Sequence, residues 1–131
     1  MDLRTHAGIE GTLCGIPVTV SAGHAVVELA TWAPMAADAS GLLHGGFVFG
    51  LADYAAMLAV NEPTVVLAAA EVRFLAPARA GDRLRAEAKV TEATPPKHTV
   101  HCVVTKAGVP VFEGDFDCRV PKRHVLDPAR S

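Results

Sequence analysis

Residues 44–61 decide the fold of this chain, and they read HGGFVFGLADYAAMLAVN. After the opening His-Gly-Gly, apolar side chains occupy every side of a helical wheel, which predicts a helix buried on all sides. At about 1.5 Å of rise per residue the segment would be about 27 Å long, nearly enough to span a bilayer. Because Asp53 lies at its middle, a buried helix of a soluble protein is the better interpretation.

Asp53 is the residue in this helix that most needs an explanation. An ionised carboxylate among Phe, Leu, Ala and Tyr side chains loses several kcal/mol of hydration unless a specific group compensates. A hydrogen bond from a neighbouring hydroxyl or backbone amide is one such compensation, and a catalytic role is the other common reason for such a residue. Two hypotheses therefore stand for Asp53, a structural carboxylate and a catalytic one.

Gly45 and Gly46 fall in the first turn of the predicted helix. The N–H groups there have no acceptor within the helix, and the positive end of the helix dipole points outward. Two glycines leave this end bare, so a carbonyl oxygen could approach the N–H groups and be stabilised as in an oxyanion hole. Tight packing or a helix cap would also explain the pair.

The spacing of Gly45 and Asp53 constrains any shared chemistry. Eight residues correspond to about 12 Å along a helix axis, so one small reacting group cannot contact both. If they cooperate, Gly45 of one subunit must meet Asp53 of another, and the site must lie at an interface of a symmetric oligomer. The spacing thus favours a homodimer or a homotetramer.

Length and composition restrict the classes of function. The chain has 131 residues, half of them hydrophobic, which suits one domain with a full core. We expect a single domain over residues 1–131, with residues 121–131 as a frayed tail. A formal charge of -2 disfavours nucleic acid as a partner. Residues 1–10 contain charges and no apolar leader, so we expect a cytoplasmic protein that does not enter membranes.

The cysteines and histidines give no metal signature. Three cysteines at wide spacing (Cys14, Cys102 and Cys118) fit neither a disulfide framework nor a paired zinc motif, so we expect them to be reduced and mostly buried. His98, His101 and Cys102 are close in sequence, but on a strand neighbouring residues point to opposite faces. A zinc site there is improbable.

The rest of the chain predicts antiparallel strands. Polar and apolar residues alternate most clearly from Leu84 to Val90. Strands are predicted within residues 15–32 (two, around a turn at 21–23), 64–76, 84–90, 99–106 and 110–120, with turns at 77–82, 92–97 and 107–108. Together with the long helix they predict an α+β fold in which a curved antiparallel sheet of five to six strands wraps around one central helix.

The order of these elements and three sequence words resemble the hotdog-fold acyl-CoA thioesterases, particularly the phenylacetate-pathway type. The words are HGG at 44–46, LAD at 51–53 and PARAGD at 77–82. The resemblance covers residues 15–120, and the nine-residue step from His44 to Asp53 matches the family spacing. It implies a dimer or tetramer that hydrolyses an acyl-CoA or aryl-CoA thioester without a metal or a separate cofactor.

The resemblance also implies the roles of the matching residues. The backbone N–H of Gly45 would polarise the thioester carbonyl with His44 beside it. Asp53 of the partner chain would act as nucleophile or as general base for water. By position and chemistry, the substrate-binding candidates are Gly46, Phe47, Tyr54, Asn61, Glu71, Arg79 and Arg83.

Several of these candidates have a plainer alternative. Asn61 matches an Asn of some relatives, but a helix C-terminus also explains it. Phe47 and Tyr54 could line an acyl pocket or simply pack in the core. Arg79 and Arg83 belong to a basic group that could hold the phosphates of coenzyme A, whereas a solvated strand face explains any single member. The rest of this group are Arg85, Lys89, Lys122 and Arg123.

Two positions depart from the family pattern. Some relatives hold the water with an Asn and a Ser, where this chain has Asp38 and, by a looser alignment, Leu67. Glu71 in the same strand could substitute, although a solvent-facing glutamate is the commoner case. Besides a thioesterase, the sequence is compatible with a non-catalytic acyl-CoA-binding or ligand-sensing hotdog domain, in which Asp53 is only structural. A hydratase fits less well, since no separate Asp and His pair is visible.

Overall fold

The computed structural model describes residues 1–127. Its helices are α1 (Gly11–Cys14), a single turn, and α2 (Gly45–Val60), with a 3₁₀ turn at Ala33–Met35 between them. The strands are β1 (Ile16–Ser21), β2 (His24–Ala30), β3 (Val66–Phe74), β4 (Arg83–Thr94), β5 (Lys97–Lys106) and β6 (Val109–Arg119). The predicted helix and all six predicted strands are thus present.

All six strands form one sheet in the order β1-β2-β4-β5-β6-β3. Every neighbouring pair is antiparallel, so β1 and β3 are the two edges of the sheet. Helix α2 lies over the middle of the sheet and packs mainly on β2, β4 and β5. This arrangement confirms the predicted hotdog fold of one helix wrapped by an antiparallel sheet.

The core lies between α2 and the concave face of the sheet. Every residue of α2 from Leu51 to Ala59 is buried except Asp53. In β4 the predicted alternation holds, because the apolar side chains between Leu84 and Ala88 are buried and the charged ones between them are exposed. Small alanines on both surfaces let the helix backbone lie close to the sheet, where close packing stabilises the fold.

Helix α2 ends at a residue that also holds the start of the chain. Asn61 adopts the left-handed conformation (φ 50°), and its N–H donates to the Met57 carbonyl at 2.8 Å. Its side-chain amide accepts from the Arg4 N–H at 2.8 Å and donates to the Asp2 carbonyl at 2.9 Å. The N-terminal segment (residues 1–10) is therefore fastened to the C-terminal end of α2.

The structure differs from the sequence-based expectation in two places. The turn predicted at 92–97 is wrong in extent, because β4 continues to Thr94 and β5 begins at Lys97, so that only Pro95 and Pro96 form it. Helix α1 was not predicted, since one turn is too short to display a helical period.

The described elements share one sheet and one hydrophobic core. A single domain over residues 1–131 stays a prediction. Residues 121–127 form neither helix nor strand, and the Pro121 carbonyl accepts a 2.6 Å hydrogen bond from the Thr64 hydroxyl. The rest of the predicted frayed tail, residues 128–131, lies outside the described residues.

Candidate active site

Asp53 lines a pocket of about 430 Å³ beside the C-terminal half of α2. Four parts of the chain that are distant in sequence form its walls: the N-terminal segment, α2, the connection into β3, and the tail. The lining residues are Thr5, His6, Asp53, Met57, residues 63–67 and His124. This pocket is the candidate active site.

Among the described residues, no hydrogen bond compensates for the burial of one oxygen atom of the Asp53 carboxylate. Its Oδ1 atom is buried and has no hydrogen-bond partner within residues 1–127. Burial raises the pKa of Asp53 from 3.8 to about 6. A carboxylate with a raised pKa is a better base for a proton of water, and such groups are concentrated at functional sites. The neighbouring hydroxyl or amide that the structural hypothesis requires is missing at Oδ1, so this geometry favours the catalytic hypothesis.

Two cysteines near Asp53 are not competing nucleophiles. Burial, and then the charge of Asp53, raise the pKa of the Cys14 thiol. The same two causes, with a smaller contribution from Asp117, raise the pKa of Cys118 to about 12. Because the thiolate is the reactive form of cysteine, both thiols stay unreactive near neutral pH.

The first turn of α2 presents bare backbone donors, as predicted. His44 is the N-cap residue, yet its side chain makes no capping hydrogen bond. Gly45 and Gly46 occupy the first two helical positions, where N–H groups have no intrahelical acceptor. A Cβ added to Gly45 would lie 3.1 Å from the ring of Phe74, so this aromatic side chain covers one side of the donors.

His44 is exposed and lies beside these donors. Its ring folds back over Gly46, because a Cβ on that glycine would lie 2.9 Å from the His44 Nε2 atom. The ring also contacts Phe47 edge-on, at a centroid distance of 6.0 Å. His44, Gly45 and Gly46 do not line the Asp53 pocket of the same protomer. One chain therefore presents two candidate half-sites, at the start and at the middle of α2.

Three other predicted site residues, Tyr54, Asn61 and Glu71, do not line the Asp53 pocket. Tyr54 is only 4% exposed, and its ring faces that of His6 at a centroid distance of 6.5 Å. Asn61 has its side-chain amide occupied by the N-terminal segment, which favours the helix-end interpretation. Glu71 is exposed on β3 and does not line the pocket, whereas Leu67 does.

Asp38 is engaged within its own loop. It is exposed, and its Oδ1 atom accepts hydrogen bonds from the N–H groups of Ser40 at 2.9 Å and Leu42 at 3.3 Å. It does not line the Asp53 pocket. In one protomer, neither of the two departures from the family pattern supplies a polar group for water.

The structure separates the two arginines proposed to hold phosphates. Arg79 lines a groove of about 430 Å³ that also contains Lys106. Arg83 lines a different groove, of about 580 Å³, beside Trp32 and Thr12. Of the remaining basic residues, Arg85 pairs with Glu28 at 3.2 Å on the outer face of the sheet. The basic group predicted from sequence is thus not one binding surface within a protomer.

His101 and Cys102 point to opposite faces of β5, as predicted. Cys102 is buried, while His101 bonds Asp115 at 2.9 Å on the outer face. Within residues 1–127 there is no group of three or more His, Cys, Asp or Glu side chains placed to hold a metal ion. Over the same residues, no helix has both the length and the apolar character needed to cross a membrane.

No pattern in the sequence indicated that Thr5, His6 and His124 would line this pocket. They belong to the N-terminal segment and the tail, which carry no hydrophobic period. The sole available signal was a Thr-His pair in a charged segment, and that pattern is common on protein surfaces.

Comparison with known proteins agrees with this fold. A model of the thioesterase superfamily matches residues 40–112, which is more than half of the chain. The chain therefore belongs to the thioesterase superfamily.

Two solved structures are similar to this chain in both sequence and fold. An uncharacterized protein of Pyrococcus horikoshii is 51% identical, with a TM-score of 0.96 over 97% of this chain and 98% of that one. The PaaI protein from the phenylacetic acid degradation operon of E. coli is 27% identical, with a TM-score of 0.77 over 83% of this chain and 80% of that one. The predicted membership in the hotdog thioesterases, of the phenylacetate-pathway type, is confirmed.

A longer relative is also similar in sequence. A methylthioribose-1-phosphate isomerase of Aquifex aeolicus is 51% identical over 116 residues, which are 88% of this chain. The chain spans 25% of the length of that protein. The activity in the name of the relative is therefore not assigned to the matching quarter.

Proposed function

We propose that this protein is a thioesterase that hydrolyses an acyl-CoA or aryl-CoA thioester to the free acid and coenzyme A. The observation that carries the proposal is the buried Asp53 carboxylate, which lines a pocket and has no hydrogen bond at Oδ1 among residues 1–127. Membership in the thioesterase superfamily supports the reaction type.

The reaction needs two groups that this chain offers at two places. The N–H of Gly45 donates to the thioester carbonyl oxygen and stabilises the negative charge that develops there. As a general base, Asp53 takes a proton from water while the water oxygen bonds to the carbonyl carbon. The C–S bond then breaks, its electron pair leaves on sulfur, and the proton passes to the thiolate. As a nucleophile, Asp53 would instead attack the carbon itself and form an anhydride that water opens.

A homodimer would bring the two half-sites together. Strand β3 pairs with β6 along one side and forms a sheet edge on the other. Its residues are largely exposed although they are mostly apolar, and Phe74 at its end is 56% exposed. An apolar edge strand attracts another strand, and pairing with its own copy is the simplest way to cover it.

The register of such a pairing supports a shared site. Phe74, at the end of β3, packs on Gly45, whereas Val66 and Leu67, at its start, line the Asp53 pocket. If two β3 strands pair antiparallel about Ala70, residue 74 of one chain lies opposite residue 66 of the other. Gly45 of one subunit then approaches the Asp53 pocket of its partner. This meets the requirement that the spacing along α2 imposes.

The substrate also needs contacts away from the thioester. Phe47 and Phe74 flank the Gly45 end of α2 and are our candidates for the acyl pocket. Arg79, with Lys106 in the same groove, is our first candidate for the phosphates of coenzyme A, and Arg83 is the second. The three cysteines are unpaired, and two are buried, which suits a reducing compartment, and we propose the cytoplasm.

The first experiment measures release of free thiol from a panel of short, medium and aryl acyl-CoAs. We expect hydrolysis of at least one of them by the wild-type protein. Binding of an acyl-CoA without any thiol release would refute the hydrolase and favour the non-catalytic binding domain.

The second experiment tests the shared site by mixing two inactive variants. Asp53→Asn removes the carboxylate charge. Gly45→Pro removes the N–H, and proline suits both the first helical position and the extended conformation of His44 before it. Half of the dimers after unfolding and refolding together are mixed, and each has one intact site. We therefore expect about a quarter of wild-type activity.

The control and the contrary result are both clear. Gly45→Ala adds the same Cβ against Phe74 but keeps the N–H, so it should retain much more activity than Gly45→Pro. If each chain contained a complete site of its own, the mixture would stay as inactive as its two parents.

A further inference from the structure

The N-terminal segment contributes two polar residues to the Asp53 pocket. Thr5 and His6 line it together with Asp53. The segment is fixed on one side of them by two hydrogen bonds: the Arg4 N–H donates to the Asn61 side-chain oxygen, and the Asn61 side-chain N–H donates to the Asp2 carbonyl. On the other side the Ile9 N–H donates to the His6 carbonyl at 3.3 Å. This wall of the pocket is therefore a built part of the fold.

The ring of His6 is held from two directions. Its Nδ1 atom forms a 2.7 Å hydrogen bond with the Thr5 hydroxyl, and its face lies near the buried ring of Tyr54. His6 also has a φ of 53°, a left-handed conformation that is uncommon for residues other than glycine. Such backbone strain is concentrated at functional sites. With Nδ1 engaged, Nε2 is the ring nitrogen left for a ligand or water.

Besides His6 and Asp53, the polar side chains that line this pocket are Thr5, Thr64 and His124. Leu67 is apolar, and the hydroxyl of Thr64 already donates to the Pro121 carbonyl. His124 also lines the pocket, but it is exposed, and its Nδ1 accepts from the Leu126 N–H at 3.0 Å. His6 is therefore the better-positioned partner for Asp53.

We propose that His6 is a further catalytic residue, which holds the attacking water together with Asp53. This inference rests on the proposed thioesterase function. The Nδ1–H of His6 donates to Thr5, and Nε2 accepts one O–H of the water while the Asp53 carboxylate accepts the other. With both of its hydrogens held, the water turns a lone pair to the carbonyl carbon. Asp53 takes the proton, as before, and His6 stays neutral throughout.

This role requires a neutral imidazole, and the surroundings favour one. Burial lowers the pKa of His6. Asp53 and His124 are the other titratable groups that line the pocket. Nearby, the ring of Tyr54 lies 6.5 Å from that of His6, and the thiols of Cys14 and Cys118 interact with Asp53. Arg4 and Glu62 form an ion pair at the end of α2. Burial raises the pKa of Tyr54, Cys14 and Cys118, which keeps them uncharged below pH 8. The two groups whose charge the proposed role depends on are therefore Asp53, which must be ionised, and His6, which must be neutral.

The test compares His6→Gly and His6→Gln with wild type, using the acyl-CoA that the panel identifies as the best substrate. Glycine adopts a φ of 53° without strain, so His6→Gly removes the ring and spares the backbone. We expect kcat to fall about 10- to 100-fold in both variants, with KM little changed. Imidazole added to His6→Gly should restore part of the rate and should not help Asp53→Asn.

The pH profile gives a readout that a structural role would not change. Two groups must be unprotonated in wild type, so kcat/KM should fall with a limiting slope of two at acid pH. In His6→Gln the slope should be one. His24→Gln is the matched control, because His24 lies on β2, bonds Glu87 and does not line the pocket. It should behave as wild type.

Each other outcome overturns the inference. Wild-type kcat and slope in both His6 variants would remove His6 from the reaction while leaving the thioesterase intact. A loss in His124→Gln that equals or exceeds the loss in His6→Gln would transfer the role to His124. A fall in activity of His6→Gly that imidazole does not relieve would also count against it. A wild-type protein without thiol release refutes the proposed function and this inference together.

Discussion

Replacing Asp53 with Asn should make the protein more stable while it abolishes turnover. Burial raises the pKa of Asp53 from 3.8 to about 6. Ionising this carboxyl group therefore costs more free energy in the folded protein than in the unfolded chain. Since one pKa unit corresponds to about 1.36 kcal/mol, full ionisation of Asp53 destabilises the folded state by about 3 kcal/mol. Because Asp53 is only partly buried, solvent screening reduces this figure to about 2 kcal/mol.

The dependence on pH gives the sign of the effect. The stability contributed by protonated Asp53 is fully present below its unfolded pKa, near pH 4, and is lost as pH rises to about 6. Asparagine has nearly the same shape and no such transition. The free energy of unfolding of the variant, relative to that of wild type, should therefore increase between pH 4 and 6. The difference should be constant above about pH 7.

Denaturant unfolding at pH 4, 5, 6 and 8 measures this difference, with equal protomer concentrations because oligomerisation adds to apparent stability. Asp38→Asn is the matched control, since Asp38 is exposed and bonds its own loop, and it should not stabilise. The turnover of Asp53→Asn should fall by about two to four orders of magnitude while the folded dimer persists. An Asn variant that is less stable at pH 8, or a difference that does not vary between pH 4 and 6, would refute this account.

Three further predictions concern other parts of the molecule. The rate of thioester hydrolysis should decline below about pH 6 because Asp53 takes up a proton, and the pH profile of kcat/KM, which reports groups of the free protein, measures it. Gly50→Ala should raise the free energy of unfolding by about 0.5–1 kcal/mol without loss of activity, because alanine favours the helix. The added Cβ would lie 3.9 Å from the Cys14 sulfur, which is an ordinary contact. Thermal unfolding measures the stability, and thiol release measures the activity. Ala70→Asp should place a charge on the exposed edge strand and convert the proposed dimer into an inactive monomer, which sedimentation detects. An active dimer of this variant would contradict the proposed β3 interface.

The fold could be predicted from the sequence because the two strongest patterns in it are local. An apolar helix with one carboxylate and the strict alternation of Leu84 to Val90 can each be recognised within a dozen residues. The same helix provided Gly45 and Asp53 as candidate site residues, since their chemistry conflicts with an apolar surrounding.

What the sequence did not predict depends on the geometry of a turn and on contacts between distant residues. Arg79 and Arg83 are four positions apart, but a turn closed by the Asp82 N–H and the Arg79 carbonyl sends them to different grooves. Likewise, only the pairing of Asn61 with the chain start brings His6 to Asp53, 47 positions away. Neither arrangement leaves a periodic trace in the amino acids.

The left-handed turn at Asn61 makes the candidate active-site pocket depend on more than the core. A molecule whose first residues have come loose would keep its sheet and helix and still lack one wall of the pocket. Thiol release therefore follows the docking of the N-terminal segment, whereas circular dichroism follows the sheet and helix. If activity falls on heating before secondary structure is lost, the fall marks the temperature at which the N-terminal segment separates from Asn61.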